Sequence, residues 1–390
     1  MNKVFIGTDN IITSLGFSTQ ENIGNILDNV TGIRLHSDPK LSRNPFFASI
    51  VDDMLLAVHF DGILNHFYPG KKPDDFTRLE QLLLLSAYDA LSKSPVPADN
   101  KATLFILSST KGNVDLLADT KKQLKNPNKL FLWDTARFLS RSFNNPNKPL
   151  VVSNACISGL LAIIYAARLI QHGKYENVIV CGGDIITEFV ASGFQSFQSL
   201  ENGACKPFDA ARNGLSLGEG CGTIILTSKE EYASTPKIEF IAGASANDAN
   251  HISGPSRTAE GLFLAIQSAL TESGLTTGQI GYISAHGTAT PFNDEMEARA
   301  LNRTNMQDVP VNSFKGYFGH TLGAAGVIES ILTIHSLQSG KLFKTYGFET
   351  PGDIEKINVI DEHTSSNINF GMKLASGFGG CNAAAIFAKK

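Results

Sequence analysis

An internal repeat constrains this chain more than any other feature. The segment "NACISGLLAIIYAARLIQHG", residues 154–173, can be set beside "FGHTLGAAGVIESILTIHSLQSG", residues 318–340. Each copy carries a reactive side chain, Cys156 or His320, with a glycine three residues later, Gly159 or Gly323. Each follows a strand-like run, "PLVVSN" or "DVPVNSF", and opens a helical pattern that stops at a glycine, Gly173 or Gly340. In the same order, "ATLFILSSTKG" lies upstream of the first unit and "IGYISAHGTATP" upstream of the second. Self-similarity of this kind is the mark of a duplicated structural unit. Short apolar runs alternate with helical patterns such as "DFTRLEQLLLLSAYDALSKS", which predicts an α/β fold with buried sheets. The halves are placed at 1–235 and 236–390. The polar stretch 121–149 reads as an insertion.

The repeat puts a strand end and a helix start behind each reactive residue. For Cys156 two readings stand: a packed thiol, since free cysteines are often buried, or a nucleophile whose thiolate is favoured at a helix N-terminus. His286, in "ISAHGTATP", and His320 both sit at strand ends beside glycine, where α/β folds form sites. Lys315 lies among largely apolar neighbours and needs a partner, for which Glu329 is the candidate. The glycine-rich "GFGGCN", residues 377–382, precedes a strand, so its N–H groups suit an oxyanion better than a phosphate.

Composition narrows the class. The chain has 390 residues, 42% hydrophobic and 18% charged, with net charge −4, so nothing calls for nucleic-acid binding. The sequence holds no apolar run long enough to span a membrane, and "MNKVFIGTDN" does not read as a signal peptide. Five scattered cysteines argue against a disulfide framework or a zinc site and fit a reducing cytoplasm. No metal and no cofactor is expected.

The set "NACISG", "KPFDAARNGLSLGEGCG", "SAHGTATPFNDEMEARAL", "NSFKGYFGHTLGAAGVIE" and "GFGGCNAAAIF" closely resembles the β-ketoacyl-[acyl-carrier-protein] synthases of the elongating type. The resemblance implies the thiolase fold, duplicated α/β halves in five layers α/β/α/β/α, and a dimer, with itself or with a related synthase subunit. It implies Cys156 as acyl acceptor, His286 and His320 as the paired catalytic histidines, and Lys315 and Glu329 as further catalytic residues, the family lysine and the acid that pairs with it. The N–H groups of Cys156 and Phe378 would hold an oxyanion, and Phe378 would gate the site beside Ser376, Gly377 and Gly379. The implied reaction is decarboxylating condensation of an acyl-cysteine with malonyl-acyl-carrier-protein, in fatty acid or specialised polyketide or polyene synthesis. A chain-length-factor-like partner subunit and a thiolase acting on coenzyme A esters are the alternatives.

Departures from the family pattern carry expectations of their own. Ser284 stands where the family has asparagine, and "LASGFGG" replaces "NSFGFGG". Both put in doubt a structural cation that some members hold near the lysine and glutamate. Ser376, small where an aromatic is usual, suggests a roomier gate. Cys381 is read as a packed residue. Lys206 and Arg212 are candidates for docking an acidic carrier protein.

Overall fold

A computed structural model describes residues 1–118, 126–248 and 254–390. Ten strands carry the architecture. In the first half they are β1 (Phe5–Ile12), β2 (Thr103–Ser108), β3 (Leu150–Val152), β4 (Asn177–Asp184) and β5 (Gly220–Thr227). In the second they are β6 (Ile238–Asn247), β7 (Tyr282–Ser284), β8 (Val311–Asn312), β9 (Phe370–Gly377) and β10 (Cys381–Lys389). The first set lies in the order β3-β2-β4-β5-β1 and the second in the order β8-β7-β9-β10-β6. The pairings match strand for strand: β2 is parallel to β3 and β4, as β7 is to β8 and β9, and the other neighbours are antiparallel. The sets meet edge to edge at Phe5 opposite Glu239, where Phe240 N–H donates to the Val4 carbonyl at 2.9 Å.

Helices complete five layers. The main ones are α1 (Arg78–Ser92), α2 (Ser158–Gln171), α3 (Glu188–Ser196), α4 (Glu260–Ser273), α5 (Pro291–Arg303) and α6 (Ala325–Ser339). α1 covers the outer face of the first sheet half, α4 and α5 cover that of the second, and α2 packs against α6 in the middle. Strand alternation feeds both sides. Val178 and Val180 of β4 enter the central core, whereas Ile179 and Cys181 enter the outer one. Along β10, Ala383 and Ala385 face the centre and Ala384 and Ile386 face α4. The glycines expected to end α2 and α6 do so with left-handed backbone, φ +66° at Gly173 and +70° at Gly340.

The two central helices cross at glycine. A Cβ on Gly326 would lie 2.2 Å from Leu160 N, and one on Gly159 would lie 2.7 Å from Val327 N. Only hydrogen fits at either position, so the backbones touch.

The stretch expected as an insertion is otherwise built. Residues 121–125 lie outside the described residues. Beyond them, Leu132–Ser142 is a helix whose Ala136 and Leu139 pack into the outer core with Leu83 and Phe105. Its polar face hid that apolar stripe. Two strands also escaped the sequence reading, β6 and β9, because alanine, glycine and a lysine interrupt their apolar runs.

Candidate active site

Three reactive side chains come from different strand–helix junctions and converge. Cys156 follows β3 and stands two residues before α2, 8% exposed. His286 follows β7, and His320 follows the single turn Lys315–Phe318. Cys156 Sγ and one ring nitrogen of each histidine lie within 4.8 Å of one another. The imidazoles meet edge to face, with centroids 5.0 Å apart. Non-glycine residues with left-handed backbone sit at these junctions: Ala155 at φ +45°, Ala289 at +62° and Leu322 at +52°. Such conformations persist only where surrounding structure enforces them, and here they turn the chain sharply beside each reactive residue.

The neighbours of each ring set its tautomer. Leu322 N–H donates to His320 Nδ1 at 3.3 Å, so the ring hydrogen is on Nε2, which is buried and has no protein partner among the described residues. The Lys315 ammonium lies 3.4 Å from His286 Nδ1, which leaves Nε2 of that ring to carry the hydrogen. Burial first, then the Lys315 charge, holds both histidines well below the ordinary histidine range. Both are therefore neutral N–H donors. Hydrogens rather than lone pairs on the free nitrogens make a donor pair, which is not what a metal needs from histidine.

Behind the rings lies a buried charge network. Lys315 Nζ donates to Glu329 Oε1 at 2.7 Å and also to the His286 carbonyl. Glu297 accepts from His286 N–H at 2.7 Å and Gly287 N–H at 2.6 Å. Asp184, at the end of β4, accepts from Ser109, Thr110 and Lys111 and, at 2.7 Å, from Gly323 N–H. It ties the first half to the loop that carries His320. Sequence reasoning missed Asp184 and Glu297, because a carboxylate that binds backbone N–H groups leaves no periodic mark. It also missed Lys373 in the middle of β9, fully buried and 2.6 Å from Glu329 Oε2. The signal for Lys373 was a lysine inside "FGMKLASG".

Burial of the thiol opposes the thiolate stabilisation expected from the helix start. Burial pushes Cys156 up to about 12, nearby Cys381 adds to the rise, and Lys315 and Lys111 offset part of it. Enclosure therefore works in favour of the thiol form. The thiol's place outside the first turn of α2 and its enclosure both oppose the expected thiolate stabilisation.

Around it lies a cavity of about 560 Å³, lined by Cys156, both histidines, Ser376, Gly377 and Phe378. Phe378, 39% exposed, packs on Phe194 of α3 and on Phe197, with centroids 5.8 and 5.5 Å apart. Gly377 allows the close approach of this loop to Cys156: a Cβ there would lie 3.0 Å from both Cys156 N and Cys381 Sγ. Gly379 and Gly380 take φ +85° and +75°. Ser376 does not leave plain empty space, for its Oγ is 2.8 Å from Asn382 Oδ1, and Asn382 Nδ2 donates to Asp248 at 3.0 Å. Cys381 is buried in the central core, with Sγ 3.3 Å from the Phe378 carbonyl. Lys206 and Arg212 lie outside the cavity. Lys206 lines a separate depression with Lys344, and Arg212 is half-buried and turned back onto the Asp209 carbonyl at 3.0 Å.

Doubled five-strand units stacked through paired central helices, with a thiol and two imidazole donors at the junctions, define a thiolase-fold condensing enzyme. Comparisons with known proteins narrow the class. The description "Beta-ketoacyl synthase, N-terminal domain" matches residues 1–232, and "Beta-ketoacyl synthase, C-terminal domain" matches 239–349. The chain is 28% identical over 425 aligned residues to a putative mitochondrial 3-oxoacyl-[acyl-carrier-protein] synthase of Schizosaccharomyces pombe, covering 100% of this chain and 99% of that one. It is 33% identical over 267 residues to 3-oxoacyl-[acyl-carrier-protein] synthase 2 of Vibrio harveyi, an alignment that spans 64% of each chain. The ishigamide ketosynthase/chain length factor superposes with a TM-score of 0.88 at 21% identity, covering 100% of this chain and 99% of that one, a likeness of fold. The chain belongs to the β-ketoacyl synthase family. Among the described residues no helix is long and apolar enough to cross a membrane.

Proposed function

We propose that this condensing enzyme joins an acyl group held on Cys156 to a malonyl unit, both delivered by acyl carrier protein. The Cys156 sulfur attacks the acyl thioester, and its proton leaves with the departing carrier thiol. Malonyl-carrier then loses CO₂, and the enolate oxygen is held by the Nε2–H groups of His286 and His320. The enolate carbon attacks the acyl-cysteine carbonyl, whose oxyanion the backbone N–H groups of Cys156 and Phe378 stabilise. Collapse releases 3-oxoacyl-carrier, and the thiolate takes a proton from water. Lys315 and Glu329 position His286. In this reading residues 1–235 supply the nucleophile and 236–390 the histidine pair.

One observation carries the proposal: the Cys156 sulfur and a ring nitrogen of each histidine lie within 4.8 Å of one another. A chain-length-factor-like role gains no support from a site that keeps thiol and donors together. The carrier as donor is supported by the names of the relatives. A partner subunit, identical or related, is supported by β3, an edge strand with β2 as its neighbour among the described residues, and by a solved neighbour in which the ketosynthase ApeO is in complex with its chain length factor ApeC. A cytoplasmic setting is supported by five free cysteines. The test is mass spectrometry after incubation with acyl-carrier, then with malonyl-carrier. An acyl mass on Cys156 that disappears only when malonyl-carrier is added supports the reading. An unmodified Cys156, or acyl loss to acetyl-coenzyme A instead, refutes it.

A further inference from the structure

The proposed role of His286 demands that its ring be held still, and the inference below rests on that reading. The backbone around it is clamped from two sides. Glu297 takes the N–H groups of His286 and Gly287, and Lys315 takes the His286 carbonyl. The two preceding carbonyls turn to a second ammonium. Lys373 Nζ lies 2.8 Å from the Ala285 oxygen, 3.3 Å from the Ser284 oxygen and 3.4 Å from Ser284 Oγ. It forms an ion pair with Glu329 Oε2 at 2.6 Å, off the line of a hydrogen bond. Lys373 is 0% exposed.

Four oxygens around one buried positive charge form the donor set of a hard cation. The resemblance places a structural cation near this lysine and glutamate in some members. A free ion does not fit here, because the space between these oxygens already holds Nζ. The charges also balance without one: Lys315 and Lys373 face the carboxylates of Glu329 and Glu297, all four fully or almost fully buried. An ammonium so placed is tolerated because these oxygen acceptors and the Glu329 carboxylate offset its burial and the repulsion from Lys315. Ser284 matters in the same way, since its short side chain turns its hydroxyl to Nζ.

We infer that Lys373 is a positioning residue that serves as a built-in monovalent cation, fixing the Ser284–His286 turn and Glu329 so that the site takes up no free alkali-metal or ammonium ion there. The chain supplies covalently what a dissolved ion would otherwise supply by binding, and the alignment of His286 becomes independent of the ionic medium.

The test uses the full chain as wild type, K373A and K373M, each in sodium, potassium, ammonium or choline chloride at one ionic strength. Three readouts are taken: melting temperature, the NMR resonances of the His286 ring, and malonyl-carrier decarboxylation. Wild type should behave alike in all four salts. K373A should lose about 10–100-fold in decarboxylation in choline, the usual cost of removing an outer partner of a site residue. It should recover in ammonium or potassium, which can enter the vacated cage, and its His286 resonances should return with the rate. K373M should show the loss without recovery, because the thioether fills the cage. Wild type that is selectively stabilised or accelerated by potassium or ammonium overturns the inference. So does K373A at the wild-type rate in choline, or a folded K373A that no cation restores. If K373A does not fold, the wild-type comparison decides. The melting and resonance readouts need no substrate, so they judge Lys373 even if malonyl-carrier is not decarboxylated and the functional reading fails.

Discussion

Replacing His320 by asparagine and by glutamine separates the two ends of one ring. Asn Oδ1 falls near the position of Nδ1 and keeps an acceptor for Leu322 N–H, but it removes the hydrogen at Nε2. Gln extends an amide N–H toward the Nε2 position and abandons the Nδ1 acceptor. Losing one oxyanion donor costs about 10²–10³ in rate, about 2.7–4 kcal/mol of transition-state stabilisation. Leaving a buried backbone N–H unpaired costs about 1–3 kcal/mol of stability. H320N should therefore melt close to wild type and decarboxylate malonyl-carrier about 10²–10³-fold more slowly. H320Q should melt lower and retain the larger share of the rate. The assay follows acetyl-carrier formation by mass spectrometry in a Cys156→Gln background, so that no condensation consumes the enolate. H320N at the undiminished rate would refute the donor role. Equal rates for the two variants, with H320Q the more stable, would refute the tautomer assignment.

Other expected outcomes follow from the same geometry. Cys156→Ala should fold and lose acyl transfer entirely, with no acyl mass on the protein by mass spectrometry, while Cys156→Gln keeps decarboxylation. Because both histidines titrate well below their ordinary value, the decarboxylation rate should stay level as pH falls through about 6.5 and drop only in more acid solution. Stability should already decline there, since the unfolded chain takes up protons on His286 and His320 below about pH 6.5 while the folded chain keeps those two rings neutral; calorimetry across that range checks both sign and onset. Ser376→Phe should break the contact with Asn382 and narrow the cavity beside Phe378, so transfer of a rigid conjugated acyl group should fall more than that of a saturated one. Equal effects on both acyl groups would remove Ser376 from the gate.

The duplication was legible because each copy repeats the same grammar, an apolar strand, a reactive residue, a glycine and a helix. Cys156, His286, His320, Lys315 and Glu329 stand at or near those junctions, and the fold brings them together. What stayed hidden depends on partners distant in sequence. Lys373 looks like a surface residue until Ser284, Ala285 and Glu329 are placed around it. Asp184 looks like the end of a strand until Gly323 N–H arrives from 139 residues away. Arg212 reads as an exposed charge, yet its side chain turns back onto the Asp209 carbonyl of its own loop. Burial also raises the Cys156 thiol, an effect that position relative to a helix does not reveal.

The glycine crossing of α2 and α6 has a consequence for how such an enzyme can diversify. The separation of Cys156 and His320 is held where Gly159 meets Gly326, backbone against backbone, like the fixed pivot of a pair of shears. A slip of one helix along the other by a single turn, about 5.4 Å, would carry the thiol out of reach of that imidazole. Among the described residues, no side chain lining the cavity takes part in that pivot. In the proposed function, a residue such as Ser376 can therefore be exchanged to suit a new acyl group while the blades stay aligned. Substrate range and reactive geometry are written in separate parts of the chain, and the first can drift without blunting the second.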